Sequence, residues 1–288
     1  MEYIFHIVIL ISIYGILALA QNLVMGMSGL LTIAGAAFYG IGAYIAAILS
    51  VKFGVNIFIT LFIAPVIAGL VASLVGATFA RFRDDYFLLA TLGFLMIFNT
   101  IIRNWQDLTG GAFGIAGISK PAIGNFTFST PLSFTILSIA LLAIIFAVSN
   151  FISRSSFGRV LQAIREDEEA LQIFGYKTST YKLIIFTIGA AMTSLGGVLF
   201  ASYLTFIDPR LFTVNESILL WAMIILGGLA QNRGAILGAI LIIMIPELLR
   251  FAGFPSEIAG LMRQFIYGLL LVLLMIYRPR GILGTYKL

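Results

Sequence analysis

Long apolar runs alternate along this chain with short polar breaks. The first run covers 3–25, with Gln21 and Asn22 as polar positions near its far end. After the turn Gly26-Met27-Ser28-Gly29, the run GLLTIAGAAFYGIGAYIAAIL predicts a second span. Its Gly35, Gly40 and Gly42 form a small-residue face that lets another helix approach closely, and this glycine density also permits an interrupted helix. Further apolar runs over 56–80, 86–102, 132–152, 183–203, 217–229, 234–249 and 260–277 complete the series. About 20 apolar residues cross about 30 Å of hydrocarbon as a helix. The pattern therefore predicts an all-α polytopic transmembrane helix bundle of about nine spans. A re-entrant 29–40 or the weak pair around Gly234 changes that to eight or ten. No polar stretch is long enough for a soluble core, so 1–288 reads as one membrane domain.

One polar break stands apart. Over 153–182 the apolar positions Phe157, Val160, Leu161, Ile164, Leu171 and Phe174 recur at helical spacing, with Arg159, Gln162, Arg165, Glu166, Glu169 and Gln172 mainly on the other faces. This predicts one amphipathic helix outside the hydrocarbon. Ser155 or Ser156 suits its start, and Gly175 suits the left-handed residue that ends it. The other long break, 103–131, carries Gly110, Gly111, Gly114, Gly117 and Gly124 with two prolines, and reads as an irregular loop.

Composition agrees with the pattern: of 288 residues, 61% are hydrophobic and 10% charged. No soluble core hides that much apolar surface. Cysteine is absent, which excludes disulfides, thiolate catalysis and cysteine metal sites. The first run lacks a small-residue cleavage pattern and reads as a retained span. The net charge of +5 follows from membrane orientation and implies no nucleic acid. With about nine spans and the amino terminus outside, one side holds Arg81, Arg83, Arg154, Arg159, Arg165, Lys177, Lys182, Arg233, Arg278, Arg280 and Lys287. The remaining basic residues are scattered singly on the other side. Sidedness thus places 153–182 and the carboxyl terminus in the cytoplasm.

Four stretches together resemble the LivM-type permease subunit of branched-chain amino acid importers of the ATP-binding-cassette class. TIAGAAFYGIGAY is similar to that family's glycine-rich run, with Ala34 and Gly35 where the family commonly has Gly and His. Tyr86-Phe87, Thr91-Leu92, Leu108-Thr109-Gly110-Gly111, Gly114-Ile115 and Gly117-Ile118 form the second match. The third is Gly158-Arg159 through Glu169-Ala170 and Gly175 to Tyr181-Lys182-Leu183. The fourth is Ile224-Ile225-Leu226-Gly227-Gly228-Leu229 with Gly234 and Leu237-Gly238-Ala239, where Ile236 replaces a usual Pro. The resemblance implies a multi-pass inner-membrane permease forming half of a translocation pathway for leucine, isoleucine or valine. It also implies a homologous LivH-type permease, two ATPase subunits that bind ATP and Mg, and an extracytoplasmic substrate-binding protein. On this resemblance 153–182 is a coupling helix seated in an ATPase groove. Glu169, Ala170 and Gly175 carry its motif, and Arg159, Arg165, Glu166 and Asp167 supply charged contacts.

The residues themselves add that no GxxxxGK[ST] loop, HExxH or Gly-x-Ser-x-Gly motif is present, so no enzyme activity, metal site or resident cofactor is expected of this chain. Thr91, Asn99, Thr100, Gly110 and Gly111 are candidates for the translocation pathway. Thr and Asn in a span serve either ligand contacts or interhelical hydrogen bonds. Gly110 and Gly111 also fit an outer loop that receives a binding protein. Two alternatives stay open: an ion-gradient carrier, which usually has a charged residue deep in a span, where none is expected here, and a permease of the same family for urea or nucleosides.

Overall fold

The computed structural model describes residues 2–79, 84–124, 126–251 and the positions 266, 268–269, 272, 276–277 and 281–284. Helix α1 (Glu2–Gln21) continues through one wider π-helical turn, Asn22–Met27. After six non-helical residues, 29–34, come α2 (Gly35–Phe53), α3 (Ile57–Phe79) and α4 (Asp84–Asn104). The loop beyond α4 holds the short α5 (Gln106–Thr109), a 3-10 turn and the two-residue strands β1 (Ile115–Ala116), β2 (Ala122–Ile123) and β3 (Phe126–Thr127). Then follow α6 (Pro131–Arg154), α7 (Ser156–Glu166), α8 (Glu168–Ile173) and α9 (Thr178–Leu204). Strand β4 (Phe206–Ile207), a 3-10 turn at Pro209–Leu211, α10 (Val214–Gly227) and α11 (Asn232–Phe251) complete the described elements.

Seven of these helical segments are long and apolar enough to cross a membrane, and α11 adds a shorter apolar stretch, Asn232–Ile245. The all-α bundle is thus as the hydrophobic pattern predicts. The expected last span, 260–277, lies mostly outside the described residues.

Helix α9 is the axis of the bundle. It packs along α2 and α3 and also meets α1. Small residues make this possible: a Cβ on Gly42 would lie 2.1 Å from the Ser194 carbonyl oxygen, and one on Gly197 would lie 2.1 Å from that of Tyr39. These distances leave no room for any larger residue, so the glycine face of the second run is a helix-packing face. Around this axis α3, α4 and α6 turn Phe62, Leu74, Ile97, Ile136 and Phe151 outward. Apolar side chains on that surface suit contact with lipid. At the α6 start Thr130 caps the helix by accepting from the Ser133 amide, with Pro131 in its first turn.

The expected irregular loop 103–131 is tied down more than its composition suggests. β1 pairs antiparallel with β4, Ile115 opposite Ile207, and β2 pairs with β3. Two other sequence expectations are corrected. The second span begins at Gly35, because 29–34 is not helical, and the single central helix is two helices, because Asp167 breaks it.

Candidate functional site

In the interrupted stretch 29–34 Leu30, Thr32 and Ala34 are buried and the residues between them half-buried, and such backbone survives within a bundle only where side chains satisfy its polar groups. Here they come from several helices. The Thr32 carbonyl accepts from Gln21 Nε2 of α1 at 3.0 Å and from Trp221 Nε1 of α10 at 2.9 Å. The Ile33 amide donates to Thr91 Oγ1 of α4 at 3.2 Å, while the Ile33 carbonyl accepts from Ser217 Oγ of α10 at 2.6 Å. Ser217 Oγ also accepts from the Ala36 amide at 3.1 Å, which closes the first turn of α2. Gly29, at φ +74°, begins the stretch in a backbone conformation that favours glycine.

A second polar cluster closes the end of α1. Asn22 accepts from the Ala230 amide at 2.9 Å and donates to Asn232 at 3.2 Å. Asn232 in turn donates to Asn150 at 2.8 Å and to Ser153 at 3.2 Å. The π-helical turn, the α10–α11 loop and the end of α6 are thereby joined.

The central polar segment is bound to this hub. Ser155 Oγ caps α7 by accepting from the Gly158 amide at 3.1 Å, and Leu161 and Ile164 are buried beneath it. Asp167 ends α7 and caps α8, accepting from the Ala170 amide at 2.9 Å. The break puts Arg165 and Glu169 in different helices. Arg165 instead turns inward and donates to the Gly26 carbonyl of the π-helical turn. Its side chain also lies where a Cβ on Gly29 would be, 2.8 Å from Arg165 Cγ. Lys182, only 5% exposed, pairs with Glu168 and fastens α8 to α9. Arg159, Glu166, Asp167, Glu169 and Gly175 are exposed, Ala170 is half-buried, and Gly175 has φ +87° as expected.

Just before Gly175, Ile173 and Phe174 are 86% and 80% exposed. The periodicity places Phe174 on the packed face, but the break at Asp167 turns it out. The signal for this apolar tip is the pair itself, placed directly ahead of the terminating glycine.

The remaining predicted residues do not form one cluster. Thr91 is fully buried at the hub. Asn99 donates to the Phe212 carbonyl at 2.6 Å, holding the segment before α10, and Thr100 is exposed and bonds its own helix at Met96. Gly110 and Gly111 have positive φ in the loop after α5, and a Cβ on Gly110 would strike the Gly114 carbonyl at 2.0 Å. The residues that composition alone leaves unremarked are Ser217, Trp221 and Glu216. Because α10 starts at Val214, Glu216 lies inside the span, contrary to the expected absence of deep charge. Its Oε1 accepts from the Tyr14 hydroxyl at 2.5 Å.

Comparison with known proteins identifies the family. The E. coli K12 protein described as the high-affinity branched-chain amino acid transport system permease protein LivM is 35% identical over 297 aligned positions, covering 95% of this chain and 68% of that one. A probable branched-chain amino acid transport permease protein LivM from Methanocaldococcus jannaschii is 30% identical over 73% of this chain and 64% of its own. The E. coli K12 permease protein LivH is 26% identical over 99% of this chain and 95% of its own. No solved structure matches. The family model described as "Branched-chain amino acid transport system / permease component" matches residues 3–275, and the chain belongs to that family of multi-pass membrane permeases.

Proposed function

We propose that this chain forms half of the translocation pathway of an ATP-driven importer of leucine, isoleucine and valine. Its partners are a homologous LivH-type permease, two ATPase subunits that bind ATP and Mg, and an extracytoplasmic substrate-binding protein. The observation that carries this reading is the exposed Ile173-Phe174 tip on a charged, capped segment. Monomeric surfaces seldom display adjacent large apolar residues, and such a tip fits the groove of a soluble ATPase. Membership of the permease family, and the LivM and LivH names of its relatives, support the substrate class and the pairing.

The segment is the coupling element, with Glu169, Ala170 and Gly175 at its docking face beside Arg159, Glu166 and Asp167. Arg165 carries its motion to the π-helical turn and the interrupted stretch, and Lys182 carries it to α9. The excess of Lys and Arg supports a cytoplasmic position for the segment, with the amino terminus outside and the carboxyl terminus inside. The hub that holds 29–34 is the part of the pathway that opens, with Thr91 as its latch and Asn99 holding the segment before α10. Gly110 and Gly111 shape the outer loop that meets the binding protein.

Glu216 gives the ion-gradient carrier a specific observation, since such carriers place carboxylates inside spans. One reconstitution separates the two. Proteoliposomes with this chain, its permease partner and the ATPases are expected to take up leucine only with ATP and loaded binding protein. ATPase co-purification is expected to fail in Glu169→Lys and Gly175→Asp. Leucine movement by this chain alone, driven by an ion gradient and indifferent to both substitutions, overturns the importer reading.

A further inference from the structure

Glu216 has no cationic partner among the described residues, yet it lies far from either end of its neighbouring span. Tyr14, its hydrogen-bond donor, is 12 residues from the start and 13 from the end of Glu2–Met27 (14 − 2 and 27 − 14). At about 1.5 Å per residue both ends of that helix are roughly 18–20 Å away, so Glu216, in the first turn of α10, faces the middle of a helix of membrane-spanning length. A carboxylate at that depth is costly unless a cation or several donors meet it, and the Tyr14 hydroxyl is one donor.

Two further phenols sit beside this line without partners. The Tyr39 hydroxyl is in a fully buried residue and the Tyr44 hydroxyl in one 3% exposed, and neither makes a hydrogen bond among the described residues. Both rings are held against Phe212, at centroid distances of 5.1 and 5.8 Å, and Tyr39 also packs on Phe200 at 5.2 Å. Both rings thus share Phe212, which lies just ahead of α10, and Glu216 is in the first turn of that helix. Orphaned buried hydroxyls are rare in finished cores and mark places where something else binds. The hydroxyls of Tyr39 and Tyr44 and the Tyr14–Glu216 pair thus gather about the start of α10, where Glu216 meets no cation among the described residues.

We propose that Glu216, with the hydroxyls of Tyr14 and Tyr39, is the binding site for the primary ammonium group of the transported zwitterion midway through the bundle. This rests on the importer reading. A transported amino acid arrives with its own cation, so the carboxylate needs no fixed one, and a fixed Lys or Arg here would compete for the site.

The test uses the complete complex in lipid nanodiscs and in proteoliposomes. Saturation-transfer NMR reads the leucine methyl signals without binding protein, with 3-methylbutylamine or 4-methylpentanoate as competitors, and uptake and ATP hydrolysis are read in parallel. The wild type is expected to show a leucine signal displaced by the amine and not by the acid. Glu216→Gln is expected to lose that signal and to lower uptake per ATP at least tenfold, with binding-protein-stimulated hydrolysis within twofold of wild type. Tyr39→Phe removes an unpartnered hydroxyl, which leaves a purely structural role unharmed. It is expected to weaken the leucine signal about threefold with hydrolysis unchanged, and it decides the matter if Glu216→Gln fails to assemble. A signal untouched by either substitution, absent from the wild type, or displaced equally by 4-methylpentanoate overturns the site. Absence of ATP-driven leucine uptake by the wild-type complex overturns the importer reading instead.

Discussion

Helix is interrupted twice on either side of Arg165, and the two interruptions are closed in opposite ways. At Asp167 the closure is local, since one carboxylate caps the next helix three residues on. Over 29–34 it is distant: the donors and acceptors come from α1, α4 and α10, separated by up to 189 residues of chain. Local closure asks nothing of Ile173 and Phe174, so both can stand in solvent. Distant closure locks several spans to one strip of backbone. Any movement of that strip must therefore be shared by the helices that hold it, which suits a gate better than a docking surface.

Ser217→Val attacks distant closure at its most shared atom. Its hydroxyl donates to the Ile33 carbonyl and accepts from the Ala36 amide, so valine, which has the shape of threonine but no hydroxyl, leaves two backbone groups unpaired. At roughly 1–3 kcal/mol for each buried unsatisfied group, the loss is about 4 kcal/mol. Thermal unfolding of the purified complex is expected to show a large drop in Tm, with Ser217→Thr close to wild type. An unchanged Tm in the valine variant means that 29–34 is not held as described.

The double substitution Ile173→Asp with Phe174→Asp tests the local side. The tip supports nothing inside the fold, so Tm is expected to stay within the change of about 0.5 kcal/mol usual for surface sites. ATPase affinity is expected to fall by about 3 kcal/mol, roughly a hundredfold, read by co-purification and titration. Affinity that survives places the docking surface elsewhere. Arg165→Met then joins the two regions. It keeps much of the aliphatic cover on Gly29 and removes the donor to Gly26. Leucine uptake per ATP is expected to drop about tenfold, equivalent to about 1.4 kcal/mol of coupling, with ATPase binding retained. Equal loss of uptake and binding makes Arg165 a docking residue and removes the link.

What could be read beforehand follows the same division. Spans, the glycine face of α2, the Ser155 cap and the left-handed Gly175 are properties of short stretches, and hydropathy and turn chemistry carry them. The break at Asp167 is hidden in the pattern because residues 157–174 keep an unbroken helical period across it, although Asp is a strong cap former. The interrupted stretch was legible only as a possibility of its glycines. Thr91 was singled out, but neither Ser217 nor Trp221 stands close enough in sequence to point at Thr32 or Ile33. Hydropathy starts the span at 217, which leaves Glu216 outside it, because nothing local says that α10 starts at Val214 and that Tyr14 faces it. Nonlocal satisfaction of backbone groups leaves no periodic trace.

The smallest effect gives the finest test of that nonlocal closure. The Thr32 carbonyl has two donors, Gln21 at 3.0 Å and Trp221 at 2.9 Å. Trp221→Phe keeps most of the ring and leaves Gln21 in place, so the carbonyl stays paired and the expected cost is about 0.5–1 kcal/mol. Gln21→Leu alone leaves Trp221 in place and is expected to cost a similar amount. Together they strip both donors from a carbonyl in the bundle interior, and the double variant is expected to cost about 1 kcal/mol more than the two single costs combined. That excess is read from Tm across the four proteins. Strict additivity means that the two side chains do not share this carbonyl, and the interrupted stretch then needs another partner at its centre.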